Sequence, residues 1–166
     1  MLTVTNTLNS HITQRGKAFG FTMVELLITI VIVGILATIA VPSYRDYVRN
    51  QRVKSASFEL VAALNLTRSE AIKRNKNIAM TQAGGGWQNG WSISADGQLL
   101  RQQSAYNGVS ITDSANSTAV TFNRDGRLAS TPTSFAVGVS PASSAVTSRC
   151  ISISLSGRAN SKTGGC

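Results

Sequence analysis

The sequence predicts an α+β fold in which one long N-terminal helix packs on an antiparallel β-sheet. Three observations carry this. The run Phe21–Val41 is apolar on every side, long enough for a helix that crosses a membrane. From Val53 onward apolar residues recur at steps of three and four, the helical period. From Ile78 onward short segments alternate with period two between glycine-containing turns, the pattern of strands. A helix followed by a series of strands is an α+β arrangement. The chain then divides into a polar leader (1–20), a transmembrane helix half (21–42), an amphipathic helix half (43–77) and a β-rich domain (78–166).

The leader has no acidic residue, and Arg15 and Lys17 stand just before the apolar run. Positive flanks of this kind stay on the cytoplasmic side of a membrane, although Arg45, Arg49, Arg52 and Lys54 follow the span and weaken the asymmetry. Within Phe21–Val41 the single charged residue is Glu25. A carboxylate at the centre of such a span costs about 2.5–3.5 kcal/mol, less near an interface, and marks a functional position. It needs a cation, and the run supplies none. Cleavage between Gly20 and Phe21 would create an α-amino group four residues away, able to pair with Glu25 of a staggered neighbour. A secretory signal ending at Thr38-Ile39-Ala40 is the competing reading. An h-region of about 7–15 residues is shorter than this run and rarely carries an acid.

Gly20-Phe21-Thr22-Met23-Val24-Glu25-Leu26-Leu27, followed by an apolar helix with Gly34 and Pro42, resembles the N-terminal signal of type IV pilins and type II secretion pseudopilins. The resemblance implies that a prepilin peptidase cuts after Gly20, that Phe21 becomes the N-methylated residue, and that Glu25 serves assembly with other pilins. It also implies an inner-membrane protein whose C-terminal domain is periplasmic.

Val53, Ala56, Leu60, Ala63, Leu64, Thr67 and Ala71 form one stripe, so the helix is expected to run to about Lys76, bent by Pro42. Arg45, Arg49 and Arg52 share a face suited to lipid phosphate, to acids of adjacent subunits, or simply to water. Glu70 and Arg74 are spaced for an i, i+4 ion pair of a few tenths of a kcal/mol. Leu66-Thr67-Arg68-Ser69-Glu70-Ala71-Ile72-Lys73-Arg74-Asn75 resembles the FimT, FimU and GspH branch of minor pilins and pseudopilins.

The expected strands begin at Ile78–Gln82 and Gly90–Ser94. Asp96-Gly97 turns the chain into Gln98–Arg101. Val109–Thr112 and Ala119–Phe122 follow, then Asp125-Gly126 as a second tight turn, and Phe135–Val139 and Cys150–Leu155 close the series. Gly84-Gly85-Gly86 lacks the following Lys-Ser or Lys-Thr of a phosphate loop. Trp87 and Trp91 read as core or loop-packing residues. Phe122-Asn123-Arg124-Asp125-Gly126-Arg127 and Ile151–Arg158 resemble the two Gly-Arg turns of the FimT/GspH sheet.

Cys150 and Cys166 are expected to form a disulfide, which would close a loop of about 15 residues, contribute about 3 kcal/mol and require an oxidising compartment. No histidine follows His11. Two thiols make an incomplete metal shell, so no metal or other cofactor is expected. The absence of a Gly-x-Ser-x-Gly elbow, of a base for any serine and of a close acid pair in the strand region excludes the common hydrolase classes.

The net charge of +9 favours phosphate partners. The segment from Gly157 to Gly165 reads as a loop. Related FimT proteins bind DNA through a basic Gly-Arg-x-Arg stretch near their C-terminus. Here Gly157 and Arg158 fit, while Asn160 replaces the second arginine. Arg158, Lys162, Arg149, Arg124 and Arg127 are the candidate DNA-binding residues. The expected function is that of a minor pilin or pseudopilin in a priming or tip complex of a type IV pilus or type II secretion system. DNA uptake in natural transformation is the alternative.

Overall fold

A computed structural model of the protein describes residues 20–166. The leader before Gly20, with His11, Arg15 and Lys17, lies outside the described residues. Among the described residues one helix, α1 (Met23–Arg74), precedes eight strands: β1 (Ile78–Gln82), β2 (Trp91–Ala95), β3 (Gln98–Gln103), β4 (Val109–Asp113), β5 (Ala119–Phe122), β6 (Ser134–Val139), β7 (Arg149–Ile153) and β8 (Ala159–Thr163). A 3-10 turn, Trp87–Asn89, lies between β1 and β2.

The chain separates into two units, Met1–Ile39 and Ala40–Cys166. In the first, every described residue is exposed. Residues 34–42, including Gly34 and Pro42, are helical. Thr29 and Thr38 turn their hydroxyls back to the carbonyls of Leu26 and Ile35, both at 2.7 Å, so these two hydroxyls need no distant partner.

The second unit holds the core. All seven predicted stripe residues are buried, together with Ser57. The two buried hydroxyls cost nothing extra, because Ser57 donates to Val53 O and Thr67 to Ala63 O, each at 2.8 Å. The strands form two four-stranded antiparallel sheets rather than one meander, in the orders β3-β2-β1-β5 and β4-β6-β7-β8. The apolar alternants Ile78, Met80, Ile93, Ile111, Val120, Phe122, Phe135, Val137, Ile151 and Ile153 join the stripe in one core. Trp87 and Trp91 are both buried. Trp87 packs edge-on against Phe135 at 5.0 Å and donates its indole N–H to Ser117 O at 3.0 Å.

The segment expected to be a loop after Gly157 is instead β8, paired with β7 from Ile153↔Ala159 to Arg149↔Thr163. Ala-Asn-Ser-Lys-Thr has neither apolar alternation nor β-branched enrichment, so local pattern could not reveal it. Pairing with β7 and the Cys150–Cys166 disulfide, whose Cα atoms lie 5.0 Å apart, hold it in place.

Candidate functional site at the helix start and the basic turns

Gly20 and Phe21 precede α1 and are exposed. Thr22 caps the helix: its hydroxyl accepts the Glu25 N–H at 3.1 Å, and its carbonyl accepts the Leu26 N–H at 3.1 Å. The Thr-x-x-Glu spacing was itself a cap signal in the sequence. It places Glu25 in the first turn, where the unpaired amides and helix dipole favour a negative charge. The exposed side chains around it, Phe21, Met23, Val24, Leu26, Leu27 and Ile28, are apolar.

Arg45 and Arg52 are exposed, and Arg49 contacts Asp46 at 3.3 Å. On another face of the helix Asn50 donates to Ala145 O at 3.4 Å and accepts the Thr147 N–H at 3.0 Å. At the far end of α1, Glu70 and Arg74 pair at 2.7 Å as their spacing predicts. Asp96 of the β2–β3 turn extends the pair into a network, 3.0 Å from Arg74 and 2.6 Å from Lys76. The Arg74 hydrogen bond holds the Glu70 carboxyl below its ordinary range, with Lys73 adding to it. Hydrogen bonds from Lys76 and then Arg74 do the same for Asp96. Burial, and then the Glu59 carboxylate, push the Tyr106 phenol well above its usual range.

The two Gly-Arg turns have the same internal bonding. Asn123 N–H donates to Arg127 O (2.9 Å) and Gly126 N–H to Asn123 O (2.8 Å); Ser154 N–H donates to Arg158 O (3.0 Å) and Gly157 N–H to Ser154 O (2.8 Å). The first side chain closes each turn, Asn123 Oδ1 accepting the Arg127 N–H and Ser154 Oγ the Arg158 N–H. Gly126 (φ 73°) and Gly157 (φ 79°) adopt the left-handed conformation that glycine favours. The turns touch: a Cβ on Gly157 would overlap the Gly126 carbonyl oxygen and reach 3.2 Å from Arg68 Nε. Arg68 donates from Nε to that same oxygen at 2.8 Å. Arg68 therefore fastens the first turn, and the close approach of Gly157 to Gly126 O, with Leu128 N–H donating to Leu155 O at 3.2 Å, sets the second turn against it; Arg124, Arg127 and Arg158 on these touching turns are all exposed. Sequence reasoning read Arg68 as part of a family motif without its partner, because the contact spans 58 residues.

Arg158 opens a shallow depression with Ser152, Ser154, Ser156, Ala159 and Asn160. Lys162 is exposed further along β8, opposite Cys150. Arg149 stands apart from this group. It begins β7, at the end away from the Gly157 turn, with its guanidinium 5.6 Å from the Phe58 ring centre and 3.4 Å from Ser161 Oγ. No cluster of three metal-ligating side chains occurs among the described residues.

Residues 56–157 match the family model described as type II transport protein GspH, and residues 15–41 match the prokaryotic N-terminal methylation motif. A Pseudomonas aeruginosa fimbrial protein is 46% identical over 59 residues, 36% of this chain and 38% of that protein. The Moraxella bovis type IV major alpha-pilin is 51% identical over 43 residues, 26% of this chain and 27% of its own. The match thus spans well under half the length of these curated relatives. The crystal structure of the type IV minor pilin FimU of Pseudomonas aeruginosa is similar over 66% of this chain and 91% of its own, with TM-score 0.57 and 28% identity. With a disulfide-pinned domain built on a helix whose first half is apolar and exposed, the chain belongs to the GspH family of minor pilins and pseudopilins, structural subunits of type IV pili and type II secretion systems.

Proposed function

We propose that the chain is made as a prepilin, cut after Gly20 by a prepilin peptidase and methylated on Phe21. It is held in the inner membrane with its domain in the periplasm, and enters the priming or tip complex of a fibre. The observation that carries this reading is the first half of α1: its most apolar window buries nothing within the chain, and its sole charge is Glu25. Such a segment requires lipid or other helices around it, and its carboxylate requires a cation there. The amine of Phe21 on a neighbouring subunit supplies one. The test is Glu25→Ala, followed by the mass of the mature chain and by its recovery in sheared fibres. Cleavage should be normal and incorporation lost; full incorporation would overturn the pairing.

A second reading, DNA contact during uptake, is favoured by Arg158, which lines a depression rich in serine hydroxyls, and by the exposed Arg124 and Arg127 on the turn that touches its own. Phosphate binding would be sequence-independent and salt-sensitive. Full-length protein in detergent, titrated with duplex DNA across a salt series, tests it. The Arg158→Ala, Lys162→Ala double variant should bind more weakly, with a log–log salt slope shallower by about 2 for two phosphate contacts. An unchanged slope excludes these two residues, and absence of binding at low salt excludes the reading.

A further inference from the structure

We infer that the free edge of β8 is a docking site for an extended, acidic segment of a partner protein, which adds to the β4-β6-β7-β8 sheet as a fifth strand. The hydrogen-bond parity of the sheet leads there. Outside the regular ladder, Ser154 N–H donates to Arg158 O and Gly164 N–H to Ser148 O, so the even-numbered residues of the two strands face one another as bonded pairs. Asn160 and Lys162 therefore spend their main-chain groups on Ser152 and Cys150. On the other side of β7, Ile153 N–H donates to Thr133 O, as the same alternation requires of an odd-numbered residue. Ala159, Ser161 and Thr163 then point their N–H and C=O groups away from β7, where, among the described residues, no strand follows β8 in the sheet. That is a row of three donors and three acceptors at the spacing of a β-strand.

This edge is fixed before any partner arrives. At one end Gly157 is wedged against Gly126 and Arg68. At the other the disulfide joins Cys166 to Cys150. An ordered edge spares the partner part of the entropy cost of pairing. By contrast β5, also at a sheet edge, is already covered: Leu128 bridges Phe122, and Ala129 N–H donates to Thr121 O at 2.8 Å.

Charge selects the partner. Residues 126–166 contain no carboxylate side chain, while Arg158 and Lys162 flank the edge. Lysine on an edge strand opposes pairing with a second copy of the same edge, and it favours a strand that carries acids. DNA phosphates cannot complete the site, since they accept hydrogen bonds but offer no N–H to the three outward carbonyls. The mode is strand addition, with main-chain bonds giving affinity and side chains giving choice.

The test uses the full chain in detergent and a capped eight-residue peptide of alternating Val and Glu. Amide hydrogen exchange by NMR should slow at Ala159, Ser161 and Thr163 on adding the peptide and stay unchanged at Asn160 and Lys162. Ser161→Pro removes one outward N–H that β7 does not use, so the fold should persist while peptide affinity falls about tenfold. A peptide of alternating Val and Lys should bind more weakly than the acidic one. No alternating protection at millimolar peptide, or equal binding by Ser161→Pro, would overturn the inference. So would an oligonucleotide that protects the three amides when the peptide does not.

Discussion

Replacing Gly157 by alanine should be far more damaging than the same change at Gly164, although both glycines have positive φ, 79° and 103°. At Gly164 an added Cβ meets nothing within 4 Å. Its cost is only that of holding an L-residue in a left-handed conformation, about 1–2 kcal/mol. At Gly157 the same conformational cost applies, but the Cβ also overlaps Gly126 O, a backbone atom that no rotamer change can move. The two turns must separate, and Arg68 Nε then loses its 2.8 Å bond to that oxygen. A hydrogen bond from a charged donor is worth about 1.5–3 kcal/mol, so the total is about 3–5 kcal/mol. Gly126→Ala is intermediate. Its Cβ meets the Ile72 side chain at 2.6 Å, and Ile72 is half exposed and able to turn away. Near-UV circular dichroism of the buried Trp87 and Trp91 during thermal unfolding of the full chain reads the order. At about 3–5 °C per kcal/mol for a domain of this size, Gly157→Ala should lower Tm by at least 10 °C and Gly164→Ala by less than that. Equal shifts would refute the wedge between the turns.

Reducing the disulfide, or changing Cys166→Ser, should remove about 3 kcal/mol on the chain-entropy account and speed amide exchange along β8 before β6, measured by mass spectrometry with and without reductant. Acid should weaken the α1–β2/β3 contact. Folding depresses the carboxyls of Glu70 and Asp96, so their contribution is full above the range where the unfolded acids titrate and is lost as pH falls through it toward the lower folded values. Denaturant midpoints across that range should fall more steeply in the parent than in Asp96→Asn; parallel curves would sink the assignment. Arg68→Lys should destabilise nearly as much as Arg68→Ala in the same melts, because a lysine ammonium does not reproduce the Nε–H aimed at Gly126 O.

How far the sequence foretold this molecule depends on the range of each interaction. The stripe from Val53 to Ala71 and the Glu70–Arg74 pair were legible because helical neighbours lie three or four residues apart. Seven of the eight strands were legible from period-two alternation and from the Asp-Gly turns at Asp96 and Asp125. β8 was not, since its five polar residues become a strand only through β7 and a bond between Cys150 and Cys166. The same limit hid the joining of the two Gly-Arg turns. Each turn is readable locally, but Gly157 meets Gly126 O across the fold, and Arg68 bonds that same oxygen from far away along the chain. Arg149 illustrates the converse. Its charge and its nearness in sequence to Arg158 suggested one patch, yet the length of β7 separates them and Arg149 lies over the Phe58 ring.

Assembly poses a separate energetic problem, and it isolates what the proposed role of Glu25 requires. Moving an apolar helix from lipid into a bundle of like helices gains little hydrophobic free energy, because lipid tails are as apolar as leucine. The driving force must come from packing and from whatever polar group lipid cannot satisfy, and between Phe21 and Val41 the ionic group is Glu25. Its backbone N–H is already held by Thr22 at 3.1 Å, so helix initiation does not depend on its side chain. Glu25→Gln keeps the shape and a hydrogen-bond acceptor but removes the charge. If pairing with the Phe21 amine drives entry into the fibre, Gln should incorporate as poorly as Ala in sheared-fibre recovery, with α1 helicity by far-UV circular dichroism unchanged in both. Recovery with Gln at the parent's level would show that a hydrogen bond suffices at this position, and the ionic account of assembly would fail.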